Sequence, residues 1–322
     1  MVFANLTAGL AQMWANKRML IIFYLTNLLF GLMVIVPFYA AVSNYIGNSL
    51  MGEKLGGKFS IDFIIELIVN DSSFGFTTLI MMFVGFTLYL LTNLFLSGGA
   101  FATFAGSGQY NSSEFWGNAA SHFGRFFRLF LWTLPAIFAF FMLQFLLKGL
   151  QNLIFGADAY QYITYWGNWI RLALRGVFIM IFFLILDYGR IYTVITGETV
   201  MRNAAWQGIK FTFANFRRTF TLGFAVFLLG VIGLVIYNPV ANLFSAPNAF
   251  VILLLFIWQQ LFIIFRSALR ISLYSGETHL YKGLIGDIPP AVVATETPPA
   301  DDQNLEEKQK DDGEDLIPQP ES

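Results

Sequence analysis

The stretch MLIIFYLTNLLFGLMVIVPFYAAV, residues 19–42, carries no charge and follows directly on Lys17 and Arg18. As a helix it reaches about 36 Å, at about 1.5 Å per residue, against a bilayer hydrocarbon thickness of about 30 Å. It therefore reads as a membrane span. The run is longer than the h-region of a signal peptide, so it is not taken for one.

Five further runs obey the same logic. A second span begins near Phe74 and is uncharged through Gly106, and a third runs from about Phe126 to Leu147. The fourth is expected from about Trp169 to Thr196, the fifth from Thr219 to Tyr237, and the sixth from Ala249 to about Ser275. Only helices and closed barrels satisfy their backbone in lipid, and runs of this length are helical. The expected fold is all-α, a polytopic membrane protein with six transmembrane helices.

Composition agrees. The chain is 57% apolar and 12% charged, where a soluble domain carries about 25% charged residues. There is no cysteine, which excludes disulfides, thiolate metal sites and cysteine nucleophiles. The net charge of −1 conceals a split. Residues 288–322 hold ten acids and two lysines, a balance of −8, and the first 287 residues balance at +7. Residues 1–287 are expected to form the membrane domain. Residues 288–322 are too polar and proline-rich to bury a core, so they are expected to be a disordered acidic tail.

Orientation follows from Lys and Arg in the short loops. Twelve, from Lys17 and Arg18 to Arg266, Arg270 and Lys282, fall on one side, and five (Lys54, Lys58, Lys148, Arg171 and Arg175) on the other. Both termini are expected to be cytoplasmic. Of the opposite loops, SIDFIIELIVN (60–70) reads as a short surface helix, and YNPVANLFSAPN (237–248) carries no charge.

The segment before the first span, GLAQMWANKR (9–18), has a relative before the fifth, GIKFTFANFR (208–217). A shorter one, GNAASHFGR (117–125), precedes the third and starts at Gly117. Each reads as an amphipathic surface helix ending in Arg. The even spans repeat too: SGGAFATFAGSG, DYGRIYTVITGET and SALRISLYSGET end the second, fourth and sixth. Gly106, Gly197 and Gly276 follow the last apolar turn, where a left-handed residue commonly closes a helix. The expected unit is a surface helix, a span, an outer loop and a longer return span, three times over: about 1–106, 107–197 and 198–276. This layout resembles a loose group of bacterial six-helix membrane proteins, including the membrane domain fused to glycerophosphodiester phosphodiesterases. The resemblance implies a bacterial inner-membrane domain, with no catalytic residue, because the phosphodiesterase barrel is absent.

Ionisable groups at membrane depth are costly and often functional. Arg171 and Arg175 lie one turn apart, and Asp187 and Arg190 three residues apart, on the fourth span. They read either as an anion or lipid-phosphate contact or as snorkelling arginines beside a local ion pair. Asn27, Asn93, Gln259 and Gln260 read either as a polar solute path or as hydrogen-bonding groups between spans, with Asn27 and Asn93 facing across the first hairpin.

Enzyme motifs are missing. His122 and His279 have no metal-ligand neighbour at helical spacing, and no phosphate-binding glycine loop precedes a helix. Gly-Glu-Thr, at 197–199 and 276–278, reads as a helix cap followed by a new segment. No catalytic residue, metal or cofactor is expected. Nucleic acid is not expected either, because the basic residues track the membrane surface.

The function expected is a non-enzymatic membrane module that engages lipid or a partner. Its head-group contacts would be Lys17, Arg18, Arg125, Arg128, Arg217 and Arg218. The alternatives are a transporter or channel for a small solute or lipid, lined by Asn27, Asn93, Arg175 and Gln259 or Gln260, and an assembly factor that recruits a protein through its tail.

Overall fold

In a helix every backbone bond closes within the segment, so a chain rich in long apolar runs builds a bundle. A computed structural model describes residues 2–47, 72–156, 160–242 and 248–286, with Ile65 and Val69. Among these residues there are eight helices and no strand: α1 (Val2–Ala15), α2 (Lys17–Ile46), α3 (Ser72–Ala105), α4 (Ser112–Phe155), α5 (Gln161–Thr196), α6 (Met201–Ala214), α7 (Phe216–Asn242) and α8 (Ala249–Ile285). All but α1 and α6 are long and apolar enough to cross a bilayer, six in number. The chain is an all-α, multi-pass membrane protein. The surface helix expected at 60–70, apart from Ile65 and Val69, and the acidic tail lie outside the described residues.

Five of the six spanning helices extend beyond their apolar runs at one end or both by several residues, and α3 begins two residues early. The third span differs most: α4 is one unbroken helix of 44 residues that absorbs the segment expected as a separate surface helix. Asparagine explains the difference. α1 gives way to α2 at Asn16 (φ −109°, ψ 48°), and α6 gives way to α7 at Asn215 (φ −115°, ψ 29°). Asn16 Nδ2 donates to the Gln12 carbonyl at 2.7 Å, and Asn215 Nδ2 to the Phe211 carbonyl at 3.3 Å. An asparagine side chain that binds local backbone in this way competes with helix continuation. The equivalent position on α4 is Phe126, fully buried and with no such group.

That equivalence rests on helix crossings, and it corrects the register read from sequence. A Cβ on Gly9 of α1 would collide with the Ser272 carbonyl of α8, and one on Gly208 of α6 with the Ile185 carbonyl of α5. The residue one turn before each, Asn5 or Ala204, presents its carbonyl 3.2 or 3.3 Å from a Cβ built on Gly276 or Gly189. At the start of α4, Phe115 meets Gly99 of α3 in the same way, and Ala119 meets Gly98. Ala119, not Gly117, therefore stands where Gly9 and Gly208 do. Gly117 has nothing within 4 Å of a built Cβ. Counting on from these crossings, Arg18, Arg128 and Arg217 become equivalent, and Arg125 falls out of the set.

α1, the start of α4, and α6 form a collar. α4 packs on the return helix α3, α6 on the return helix α5, and α1 on the return helix α8, so first and last hairpins close the ring. Inside it α3, α5 and α8 touch one another. Gly99, Gly189 and Gly276 share one layer of this centre, and Ala100, Arg190 and Glu277 the next, all buried. Lys282 Nζ donates to the Phe104 and Ala105 carbonyls, placing a cation at the C-terminus of α3, where the helix dipole favours one.

Of the three glycines expected to cap return helices, only Gly197 does so (φ 69°, ψ 10°). After α3 the positive φ belongs to Gly108 (72°), and Gly276 lies within α8, which continues to Ile285. Packing is densest at the collar end, and beyond it helices meet at fewer places, such as the Phe140–Phe178 stack and the Trp258 Nε1 bond to the Tyr237 carbonyl. In the most apolar window of each span, no more than 22% is buried, so the far halves present their side chains to lipid.

Candidate functional site

The polar residues of the spans converge where α2, α3 and α8 meet. Asn27 of α2 donates from Nδ2 to Ser267 Oγ of α8 (3.1 Å) and accepts at Oδ1 from Tyr89 OH of α3 (2.8 Å). Asn93, one turn along α3 from Tyr89, accepts at Oδ1 from Arg270 Nη1 of α8 (2.8 Å). Arg270 Nε donates to Tyr274 OH (2.9 Å), so the guanidinium is held from two sides. Tyr24 OH of α2 adds a further link to α8, donating to Gln260 Oε1 (3.0 Å). The expected link between Asn27 and Asn93 does not form. Each asparagine engages α8 instead.

Beside this network lies a groove of about 550 Å³ between the three helices. Its walls are apolar (Phe30, Val34, Met82 and Phe86), and Arg266 and Arg270 stand at its collar end. Among the described residues no acidic side chain lines it. Arg266 is exposed and makes no hydrogen bond or ion pair among the described residues. Its depth follows from the network. Asn27 lies between two and three helical turns past Arg18 along α2, and Asn27 bonds Ser267, the neighbour of Arg266. Arg266 therefore sits between two and three turns farther into the bundle than the collar arginines.

Behind the groove is a buried charge cluster. Arg190 Nη1 donates to Asp187 Oδ1 at 2.8 Å, with both side chains almost wholly buried. Glu277 lies fully buried within electrostatic reach of both. Neither Glu277 oxygen has a hydrogen-bond partner among the described residues, nor do Arg190 Nε and Tyr188 OH. Such groups are rare in an interior, since each ordinarily forfeits about 1–3 kcal/mol without a partner. Asp187 also acts on Arg270, so cluster and groove share one field.

The other sequence candidates lie elsewhere. Arg171 binds Gln151 and Asn168 at the loop end. Arg175 Nε donates to Gln144 Oε1 at 3.3 Å across α4 and α5. Neither approaches Asn27 or Asn93, so the polar lining expected for a solute path is divided between two sites. Gln259 is exposed, whereas its neighbour Gln260 faces α2. Lys17, Arg18, Arg128, Arg217 and Arg218 are exposed at the collar, and Arg125 is half-buried. Lys17 lies over the Trp14 ring at 5.8 Å.

Ser267, Tyr89, Arg266 and Arg270 are site residues that the sequence reading does not single out. A signal for two of them is present: Arg266 and Arg270 are one turn apart, and like charges at that spacing destabilise a helix unless something compensates them. Glu277, expected in a cap, is instead turned into the centre. Among the described residues no three His, Asp or Glu side chains converge to hold a metal.

Fold and site define a polytopic α-helical membrane protein with an apolar, arginine-ended groove between α2, α3 and α8. The chain matches no family model, no curated protein and no solved structure.

Proposed function

We propose that the chain is a non-enzymatic module of a bacterial inner membrane, with both termini cytoplasmic, that engages anionic lipid through its collar. The observation that carries this is the placement of Arg18, Arg128 and Arg217. They hold equivalent positions relative to the collar crossings, exposed, where a collar segment turns into a span. Lys17, Arg218 and Arg125 adjoin them. A basic residue at an anionic surface contributes about 1 kcal/mol, so six such residues give a marked lipid preference. The excess of Lys and Arg at this end supports a cytoplasmic orientation. The resemblance to bacterial six-helix domains, and duplication of one hairpin with its collar segment, fit the same picture. A protein partner would be recruited through the acidic tail.

The test is lipid composition. In nanodiscs of mixed anionic and zwitterionic phospholipid, the wild type should enrich anionic lipid around itself. Changing Lys17, Arg18, Arg125, Arg128, Arg217 and Arg218 to Gln should abolish the enrichment, and undiminished enrichment would overturn the proposal.

A further inference from the structure

We infer that the groove between α2, α3 and α8 is a discrete site for one anionic phospholipid. Its phosphate lies between Arg266 and Arg270, and an acyl chain runs past Gly31 and Gly85. This site is separate from the collar, and either can stand if the other falls.

Four observations lead to it. The first is charge. Of the five N–H donors of Arg270, two are taken, by Asn93 and Tyr274, and none of Arg266 is taken among the described residues. Asp187, the carboxylate that acts on Arg270, is already paired with Arg190. Two guanidinium groups one turn apart thus face a groove with no acid among the described residues that line it, and that arrangement calls for an anion. The second is depth. A cation more than two helical turns past the surface arginines is costly in hydrocarbon unless it finds an anion. An anion arriving there must bring its own apolar body, which a phospholipid does.

The third is shape. The groove opens sideways, toward lipid. Gly31 has nothing within 4 Å of a built Cβ, so its backbone borders open space. A Cβ on Gly85 would lie 3.0 Å from Val34, so α2 and α3 are already in contact at the groove's base. The fourth is singularity. At the positions of Arg266 and Arg270, counted from the shared glycine layer, α5 carries Ile179 and Phe183 and α3 carries Tyr89 and Asn93. The three return helices share a scaffold, and only α8 places two arginines there.

The experiment uses the full chain, purified in mild detergent and examined by native mass spectrometry against added phosphatidylglycerol, phosphatidylcholine or inorganic phosphate. The variants are Arg266→Gln, Arg266→Lys and Gly31→Leu. Arg266 is unbonded among the described residues and Gly31 borders open space, so each variant should elute and melt like wild type. Wild type should hold one phosphatidylglycerol more tightly than the rest. Arg266→Gln should lose affinity by about tenfold or more, the worth of a charged hydrogen bond. Arg266→Lys should lose less, and Gly31→Leu, which fills the groove, should lose as much as Arg266→Gln. Equal binding by all variants would overturn the site. Loss in the six-residue collar variant alone would also overturn it, assigning the bound lipid to the collar. If inorganic phosphate competed with phosphatidylglycerol at equal concentration, or phosphatidylcholine bound equally, the anionic-lipid assignment would fall. If Gly31→Leu bound normally, the acyl path would fall.

Discussion

At the collar end Ser97, Tyr188 and Glu277 are wholly buried between α3, α5 and α8, whereas Leu153 and Tyr160, at the loop end of α4 and α5, are each 83% exposed. The same helices run through both regions. Apolar side chains gain nothing from leaving lipid for one another, so helices in a bilayer hold together where backbones approach closely or polar groups bond. The collar end has both: glycine crossings at Gly9, Gly208 and Gly99, and the Asn27, Asn93 and Arg270 network. The loop end has the Arg171 and Arg175 contacts and the Tyr237–Trp258 contact of α7 and α8, and elsewhere its side chains are largely exposed. Stability should therefore reside in one half, and substitutions can test this.

The largest loss is expected at Asp187. Asp187→Ala leaves Arg190 buried without its ion-pair partner, which costs about 3–5 kcal/mol. Thermal unfolding in detergent should register it as the most damaging single change. The double variant Asp187→Leu with Arg190→Met should recover most of the loss, since a buried pair replaced by apolar groups of similar size is often neutral. No recovery would mean that the charges hold the centre together in a way that packing cannot replace.

Next come the crossings. Gly9→Ala and Gly208→Ala force backbone apart from backbone and should each cost about 1–3 kcal/mol. Gly117→Ala should cost nothing, and helix propensity favours it by up to about 1 kcal/mol. If Gly117→Ala proved as harmful as Gly9→Ala, the register drawn from the crossings would be wrong.

That contrast shows what the sequence made legible. The six spans could be read because a charge-free run long enough to cross a bilayer has few alternatives. The collar register could not. Gly117 matches the letters of the motif, but the crossing requires a small residue facing a partner helix, and Ala119 meets that requirement without resembling Gly9. Gly-Glu-Thr gives a second case. At 197–199 the helix ends at Gly197 and Glu198 binds the turn that follows, accepting from the amides of Thr199 and Val200. At 276–278 the same three residues continue α8, because Gly276 is wedged against α1 and Glu277 turns inward. A tripeptide near the end of the described chain cannot report that a helix from its beginning will pack on it. The groove is half visible: Asn27 and Asn93 stand out as polar residues in spans, while Arg266 and Arg270 read as the ordinary basic end of a helix.

Asparagine at the collar corners should matter no more than the crossings, and unequally. Asn16 is buried, donates to the Gln12 and Gly108 carbonyls and accepts from the Tyr110 amide at 2.7 Å, tying α1 to the turn after α3. Asn16→Ala leaves buried partners unsatisfied, at about 1–3 kcal/mol. The Asn215 side chain bonds only its own preceding turn among the described residues, and Asn215→Ala should cost about 0.5–1.5 kcal/mol.

The smallest effect is expected where lipid does the packing. Leu153→Ala removes an exposed side chain at the loop end of α4 and leaves no cavity within the protein. In a bilayer its effect on unfolding should stay within about 0.5 kcal/mol, as for surface changes generally. The same leucine-to-alanine change at Leu129, fully buried under the collar, should cost about 2–5 kcal/mol. The two sites lie on one helix and differ in what surrounds them. Equal losses at both would mean that the loop end packs against something beyond this chain, and a second copy of the protein would be the first partner to seek by crosslinking from Leu153.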